Sequence, residues 1–406
     1  MGKQACIFIV WNEAAHFLLS ICNGGKACMD KNRLVYIDNI RLLMIILVVV
    51  QHIAVTYSGF GSWYYVEPGE IGIVQTVIFG FQQAFTQGYS MGLMFLIAGY
   101  FVPGAYDKKG FGKFMKDRLV RLGVPTIIYM LIITPVVYFG LMGVRADNGG
   151  LFATCLEYII SLQFIGGSGP LWFALAVLIF TAVYALIKKI AAPKAVVSDK
   201  SFPAFLQILA LILLISVCTF LVRIVQPIGT SIINMQLCYF SQYVILFIVG
   251  IKSKRNNWLE KLDYATGKPW LIWGIALGFA LFAVIMISGG ALNGDLAPFN
   301  GGITWQSAAY ALWESFVAVS VSIGLIALFR EKCNRQSSLI KAMSADAFSV
   351  FVFHPLIIVA LTLLFAPVSL IPIVKFIIIV LIGVPLSFLC VHFTVQKVPF
   401  LKKIFA

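Results

Sequence analysis

A helix needs roughly 20 consecutive, mostly apolar residues to cross the hydrocarbon core of a bilayer, and runs of that kind recur along nearly the whole chain. Ten can be drawn: 40–58, 73–103, 122–143, 170–187, 203–222, 232–251, 269–288, 305–329, 345–366 and 372–394. The pattern predicts an all-α, polytopic membrane protein of about ten transmembrane helices. Composition agrees: 61% of the 406 residues are hydrophobic and 11% are charged, against about 25% charged in a soluble domain. The run at 73–103 is unusual, since Gln75, Gln82, Gln83 and Gln87 make its first half amphipathic. That half can lie along the interface or line a cavity.

Charge sets the orientation. Of the 30 Lys and Arg residues, 27 fall in the N-terminal segment through Arg41, in 104–121, 188–200, 252–268 and 330–341, or after residue 394. These segments alternate with nearly neutral ones. Positive connections stay on the cytoplasmic side, so both termini are expected to be cytoplasmic, as an even span count requires. Arg145, Arg223 and Lys375 are the exceptions. The net charge of +14 is therefore a topology signal, and with no basic face interleaved with stacking aromatics, nucleic acid is not an expected partner. Eight scattered cysteines form no CxxC pair and no metal-ligand spacing with histidine; neither a required disulfide nor a metal is expected. Residues 1–28 make a poor signal peptide or span and precede Met29 and a basic segment. They are expected to be a poorly structured extension, upstream of a start at Met29 and without a role for His16, while 29–406 form a single transmembrane domain.

Two positions in "RLLMIILVVVQHI" (41–53) interrupt the first run. From Arg41 to His52 a helix rises about 16 Å and rotates about 1100°, three turns plus roughly 20°, so both side chains leave one face. Arg41 alone fits a snorkelling anchor paired with Asp38, and His52 alone fits a structural histidine. Ionisable groups at membrane depth are costly and usually functional, and a shared face favours a joint role. In "KKGFGKFMKDRLVRLGVP" (108–125), Arg118 and Arg121 stand i,i+3 near the cytoplasmic entry of the third run. Two guanidiniums on one face make a phosphate clamp; a basic stripe on anionic lipid headgroups is the other reading. The outward segments hold Trp63, Tyr64, Tyr65, Trp172 and Trp305, which fit an interfacial aromatic belt or a platform for sugar rings.

The stretches "RLVYIDNIRLLMIILVVVQH", "GSWYYVE", "FLIAGYF", "KDRLVRLGVP", "PLWFALAVLIF" and "AFSVFVFHPLIIV" occur in that order over about 33–400. Together they resemble acyltransferase family 3, multispanning bacterial enzymes that acylate extracytoplasmic glycans and related acceptors. "YIDNIR" and "ALWESFVAVSVSIGLIALFREKCN" are similar to the branch named for glucan biosynthesis protein C, a membrane succinyltransferase. The resemblance implies that Arg41 and His52 match the family's arginine and histidine of the first span. It likewise places Arg118 and Arg121 at its basic pair and His354 at its late histidine. Ala98 stands where many members carry serine.

Other candidates come from position alone. His354, followed by Pro355, lies mid-span in the ninth run, where a structural hydrogen bond and a catalytic role both fit. Glu314, about ten residues into the eighth run from outside, can orient His52, contact an acceptor or pair with another polar group. His392 falls near the cytoplasmic interface, and Asp38 and Asp346 fit helix N-cap or first-turn roles.

The resemblance implies an O-acyltransferase of the bacterial cytoplasmic membrane, with acyl-CoA as donor, an extracytoplasmic glycan or other hydroxyl as acceptor, and no metal. Arg41, Arg118 and Arg121 would bind the CoA phosphates, and His52, with an ordinary pKa of about 6.5, would act as general base. A secondary transporter of an anionic solute could use the same arginines, but such transporters carry paired broken helices and internal repeats, which are absent from this sequence. A non-catalytic membrane sensor of the same fold is a third reading.

Overall fold

The computed structural model describes residues 34–144, 150–191 and 200–405. Residues 1–28, with His16 and Met29 beside them, and Arg145 lie outside the described residues. Within these the chain is helical, with no strand. The principal helices are α1 (Val35–Ser58), α2 (Ile73–Arg118), α3 (Leu151–Ile160), α4 (Trp172–Ala191), α5 (Phe205–Val225), α6 (Phe240–Asn256), α7 (Tyr264–Ser288), α8 (Trp305–Lys332), α9 (Ser338–Phe365), α10 (Pro372–Thr394) and α11 (Pro399–Phe405).

Nine stretches among the described residues are long and apolar enough to cross a membrane. One of them, Ile73–Leu141, runs for 69 residues and accounts for two of the ten runs drawn from the sequence. At 1.5 Å per residue it would reach about 100 Å, more than three times the core thickness of about 30 Å. It turns at Gly110, whose φ of 70° and ψ of 172° break the helix where a side chain would be strained. Beyond the turn the backbone alternates α and π winding, with π segments at Leu119–Gly123, Tyr129–Ile133 and Val136–Leu141.

Lipid provides no hydrophobic drive between helices, so close backbone approach and polar contacts hold such bundles together. α2 packs along α6, and α8 along α7 and α5. Gly99 of α2 lies directly against the Phe247 carbonyl, and Gly250 of α6 against that of Leu96. A Cβ at either position would push the two helices apart. Gly274 and Gly278 of α7, four apart, meet Ser320, Val321 and Val317 of α8 in the same way. The large apolar side chains exposed on α5 and α7, such as Leu206, Leu213, Phe279 and Val284, face where acyl chains would lie.

The basic connections meet at one end of the bundle. Arg255 forks onto Asp107 at 2.6 and 3.0 Å, the Tyr100 hydroxyl donates to Glu260 at 2.6 Å, Arg330 donates to the Leu262 carbonyl, and Asn39 donates to the carbonyls of Cys333 and Arg335. At the neutral end Lys375 donates to Glu67 at 2.8 Å, Asn234 donates to Ser168 and Gly169, and the Gly302 N–H donates to the Arg223 carbonyl. Two of the three out-of-place cations are thus held in buried pairs, Lys375 with Glu67 and Arg223 with Glu314.

Cys333 is disulfide-bonded, where no required disulfide is expected from the sequence, and Cys155, Cys218, Cys238 and Cys390 are free thiols. Asp346 is not a first-turn residue. Ser337 caps α9 by accepting from the Ile340 N–H, and Asp346, buried further along, accepts from His392 Nδ1 at 2.9 Å.

Candidate active site

α1 carries both Arg41 and His52, so the separation of about 16 Å along one face stands. His52 is half-buried and faces α9. Its Nδ1 lies 3.0 Å from Nε2 of His354, a residue 302 positions later in the chain and 0% exposed. His354 Nδ1 in turn lies 3.1 and 3.0 Å from the carbonyl oxygens of Val350 and Phe351. These contacts fix the tautomers of a neutral pair. Carbonyl oxygens only accept, so His354 Nδ1 carries the hydrogen and its Nε2 is a bare acceptor. His52 Nδ1 must then donate, which leaves the lone pair of His52 on Nε2. An imidazole oriented by a second group, with the lone pair on its other nitrogen, is the arrangement a general base needs.

The loop between α1 and α2 closes over this pair. The Trp63 indole stacks on the His52 ring, with centroids 3.9 Å apart and planes inclined by 17°, and it extends over His354 at 5.9 Å and 9°. The loop is pinned by the Glu67 N–H donating to the Thr56 carbonyl, by the Lys375–Glu67 pair, and by the Tyr64 and Tyr129 hydroxyls 2.8 Å apart. The sequence left Trp63 between belt and sugar platform; the fold turns it inward onto the histidines. Trp305, 54% exposed at the start of α8, keeps the position of a belt residue.

A small cavity of about 60 Å³ opens beside His52. Its lining combines apolar Val48, Met91 and Phe351 with polar Gln51, Thr86, Gln87 and Ser90. Pro170 and Trp172 complete the wall. The amides are tied into it: Gln82 donates to Gln51 and Thr86, both at 3.3 Å, and Gln87 donates to Tyr243 at 2.8 Å. Of the four glutamines of 73–103, Gln87 lines the cavity and Gln82 braces its wall, while Gln75 accepts from the Ile373 N–H.

The cationic candidates cluster at the basic end. Arg41 lies 3.5 Å from Asp38 and stacks 4.7 Å over Phe101; Arg118 stacks 5.1 Å over Phe114. The charges of Arg121 and Arg41 both act on Arg118, so the three guanidiniums share one field. Arg118 is half-buried and Arg121 exposed. The π winding from Leu119 turns the chain less per residue than an α-helix does, so i,i+3 residues no longer overlie one another.

Glu314 stands apart from His52. Its Oε2 accepts from Arg223 Nη2 at 2.5 Å, with both side chains essentially unexposed, and Tyr239 and Tyr310 flank the guanidinium at 5.3 and 5.4 Å. Of the roles open to Glu314, pairing within the bundle is the one present, and the group that orients His52 is His354. Among the described residues no three His, Cys, Asp or Glu side chains gather as a metal site would require.

The arrangement is a histidine pair, one member half-buried and one buried, under an aromatic ring, about 16 Å along α1 from a cationic edge. The model of the acyltransferase domain of family 3 matches residues 34–392 of this chain. No curated protein and no solved structure matches it.

Proposed function

The chain belongs to acyltransferase family 3, and from that premise we propose that this membrane acyltransferase moves an acyl group from cytoplasmic acyl-CoA to a hydroxyl of an acceptor reached from the other side. A glycan is the acceptor this reading favours, and the bacterial cytoplasmic membrane is the expected location. The observation that carries the reading is the His52 Nδ1 to His354 Nε2 contact, anchored on the Val350 and Phe351 carbonyls. It supports His52 Nε2 as the atom that takes the proton.

The chemistry then balances simply. As the acceptor oxygen bonds to the thioester carbonyl carbon, its proton passes to His52 Nε2, and the hydrogen bond to His354 holds the charged ring in place. The carbon–sulfur bond breaks, and the CoA sulfur receives the proton from His52. The products are an ester and free CoA thiol. Arg41, Arg118 and Arg121 suit the diphosphate and ribose phosphate of CoA, because guanidiniums pair phosphate oxygens bidentately. The apolar lining of Val48, Met91 and Phe351 suits a pantetheine arm climbing from that edge. Glu314 has no role in this scheme beyond holding Arg223.

Purified protein in lipid nanodiscs, supplied with labelled acyl-CoA and a glycoside acceptor, tests the proposal. Release of CoA thiol with label on the glycoside is the expected result. Uptake of an anionic solute into proteoliposomes without thiol release would favour the transporter instead. The glucan biosynthesis protein C branch, with succinyl as the acyl group, is the sequence-level alternative within this reading.

A further inference from the structure

The walls of the His52 cavity select by charge. Among the described residues that line it, His52 is the one titratable group. Gln51, Thr86, Gln87 and Ser90 are amides and hydroxyls, and the rest are apolar. Neither Lys375, which donates to Glu67 and the Ala366 carbonyl, nor Arg223, which pairs with Glu314 through Nη2, is among the lining residues. Arg41 lies about 16 Å away along α1.

We propose that the acyl group handled at His52 is uncharged, a short saturated acyl such as acetyl, and that anionic acyl groups such as succinyl are rejected. This rests on the acyl-CoA reading above. In succinyl-CoA two methylenes carry a carboxylate only roughly 4 Å beyond the thioester carbonyl carbon, far short of Arg41. With the carbonyl at His52, that carboxylate would lie among amide and hydroxyl groups and apolar walls, with no cation among the described lining residues to pair it. Burying an unpaired carboxylate is among the most costly events in a protein interior. Gln51 Oε1 and Thr86 Oγ1 accept from Gln82, so such a carboxylate would meet only neutral donors, the Gln51 amide and the hydroxyls, and hydrogen bonds from neutral groups do not replace a counter-ion. A neutral acyl group brings one carbonyl oxygen and apolar carbon, which these walls accommodate.

The test compares acetyl-, butyryl- and succinyl-CoA on the full-length protein in nanodiscs, with thiol release and free CoA as a competitor measured for each. Butyryl has the length of succinyl without its charge, so it separates size from charge. The expected outcome is turnover of acetyl- and butyryl-CoA, with kcat/KM for succinyl-CoA lower by about 10²-fold or more while CoA competes equally against all three. Succinyl-CoA turned over within a few-fold of butyryl-CoA overturns the inference. So does rejection of butyryl- and succinyl-CoA alike, which assigns the selection to size. Turnover of none of the three, in a preparation that binds CoA or not, overturns the acyl-CoA reading itself and this inference with it.

Discussion

At the scale of single residues, one hydrogen bond decides the assignment of roles. His354 accepts from His52, so replacing it with alanine should free the His52 ring and lower kcat by about 10²-fold or more with donor KM nearly unchanged. His354→Gln, which retains an acceptor in reach, should recover part of that loss; equal losses in the two variants would make His354 a packing residue alone. Trp63 acts by position: Trp63→Ala should cost about ten- to a hundredfold in kcat/KM through misplacement of His52, and Trp63→Phe less, since a ring can still stack. Steady-state kinetics of the four variants measure all of this. The pairing of His52 with His354 was not legible in the sequence, because nothing local links residues 302 positions apart. Nor does an aromatic in an outer loop reveal whether it faces lipid headgroups or folds back, and Trp63 does the second.

Elements follow the sequence more closely, because length and hydropathy alone define a span. The breaks within 73–141 are harder to read: Gly110 is one of several glycines there, and its turn depends on where the two arms pack. The same holds for α2 against α6, whose approach needs both Gly99 and Gly250. Gly99→Leu should therefore destabilise the protein by about 1–3 kcal/mol as an overpacked contact, seen as a lower Tm in detergent; an unchanged Tm would mean that the helices are not so closely apposed. At the basic end, Arg118→Ala should raise donor KM roughly tenfold or more and leave acceptor KM unchanged, with Arg118→Lys recovering only part because a point charge replaces a planar fork. A change confined to the acceptor would contradict the clamp.

For the whole molecule, the alternation of basic and neutral connections anticipated what the fold does: the basic segments touch one another at one end and the neutral ones at the other. Arg223 and Lys375 break the charge pattern because each is neutralised by a partner far away in sequence, Glu314 and Glu67. Removing one member of the fully buried pair, as in Glu314→Gln, should destabilise the fold by about 3–5 kcal/mol, whereas Arg223→Met with Glu314→Met should restore much of it. A stable Glu314→Gln protein that has lost transfer would instead return Glu314 to the chemistry. In the proposed scheme donor charge is bound at one edge and the proton is moved about 16 Å away at His52. The most direct test is acyl transfer and CoA binding measured side by side in purified wild type and His52→Gln, a variant that can hydrogen-bond but cannot take a proton near neutral pH. His52→Gln is expected to fold and bind CoA normally with transfer lowered by about 10²–10⁴-fold; near-normal transfer would contradict the role proposed for His52.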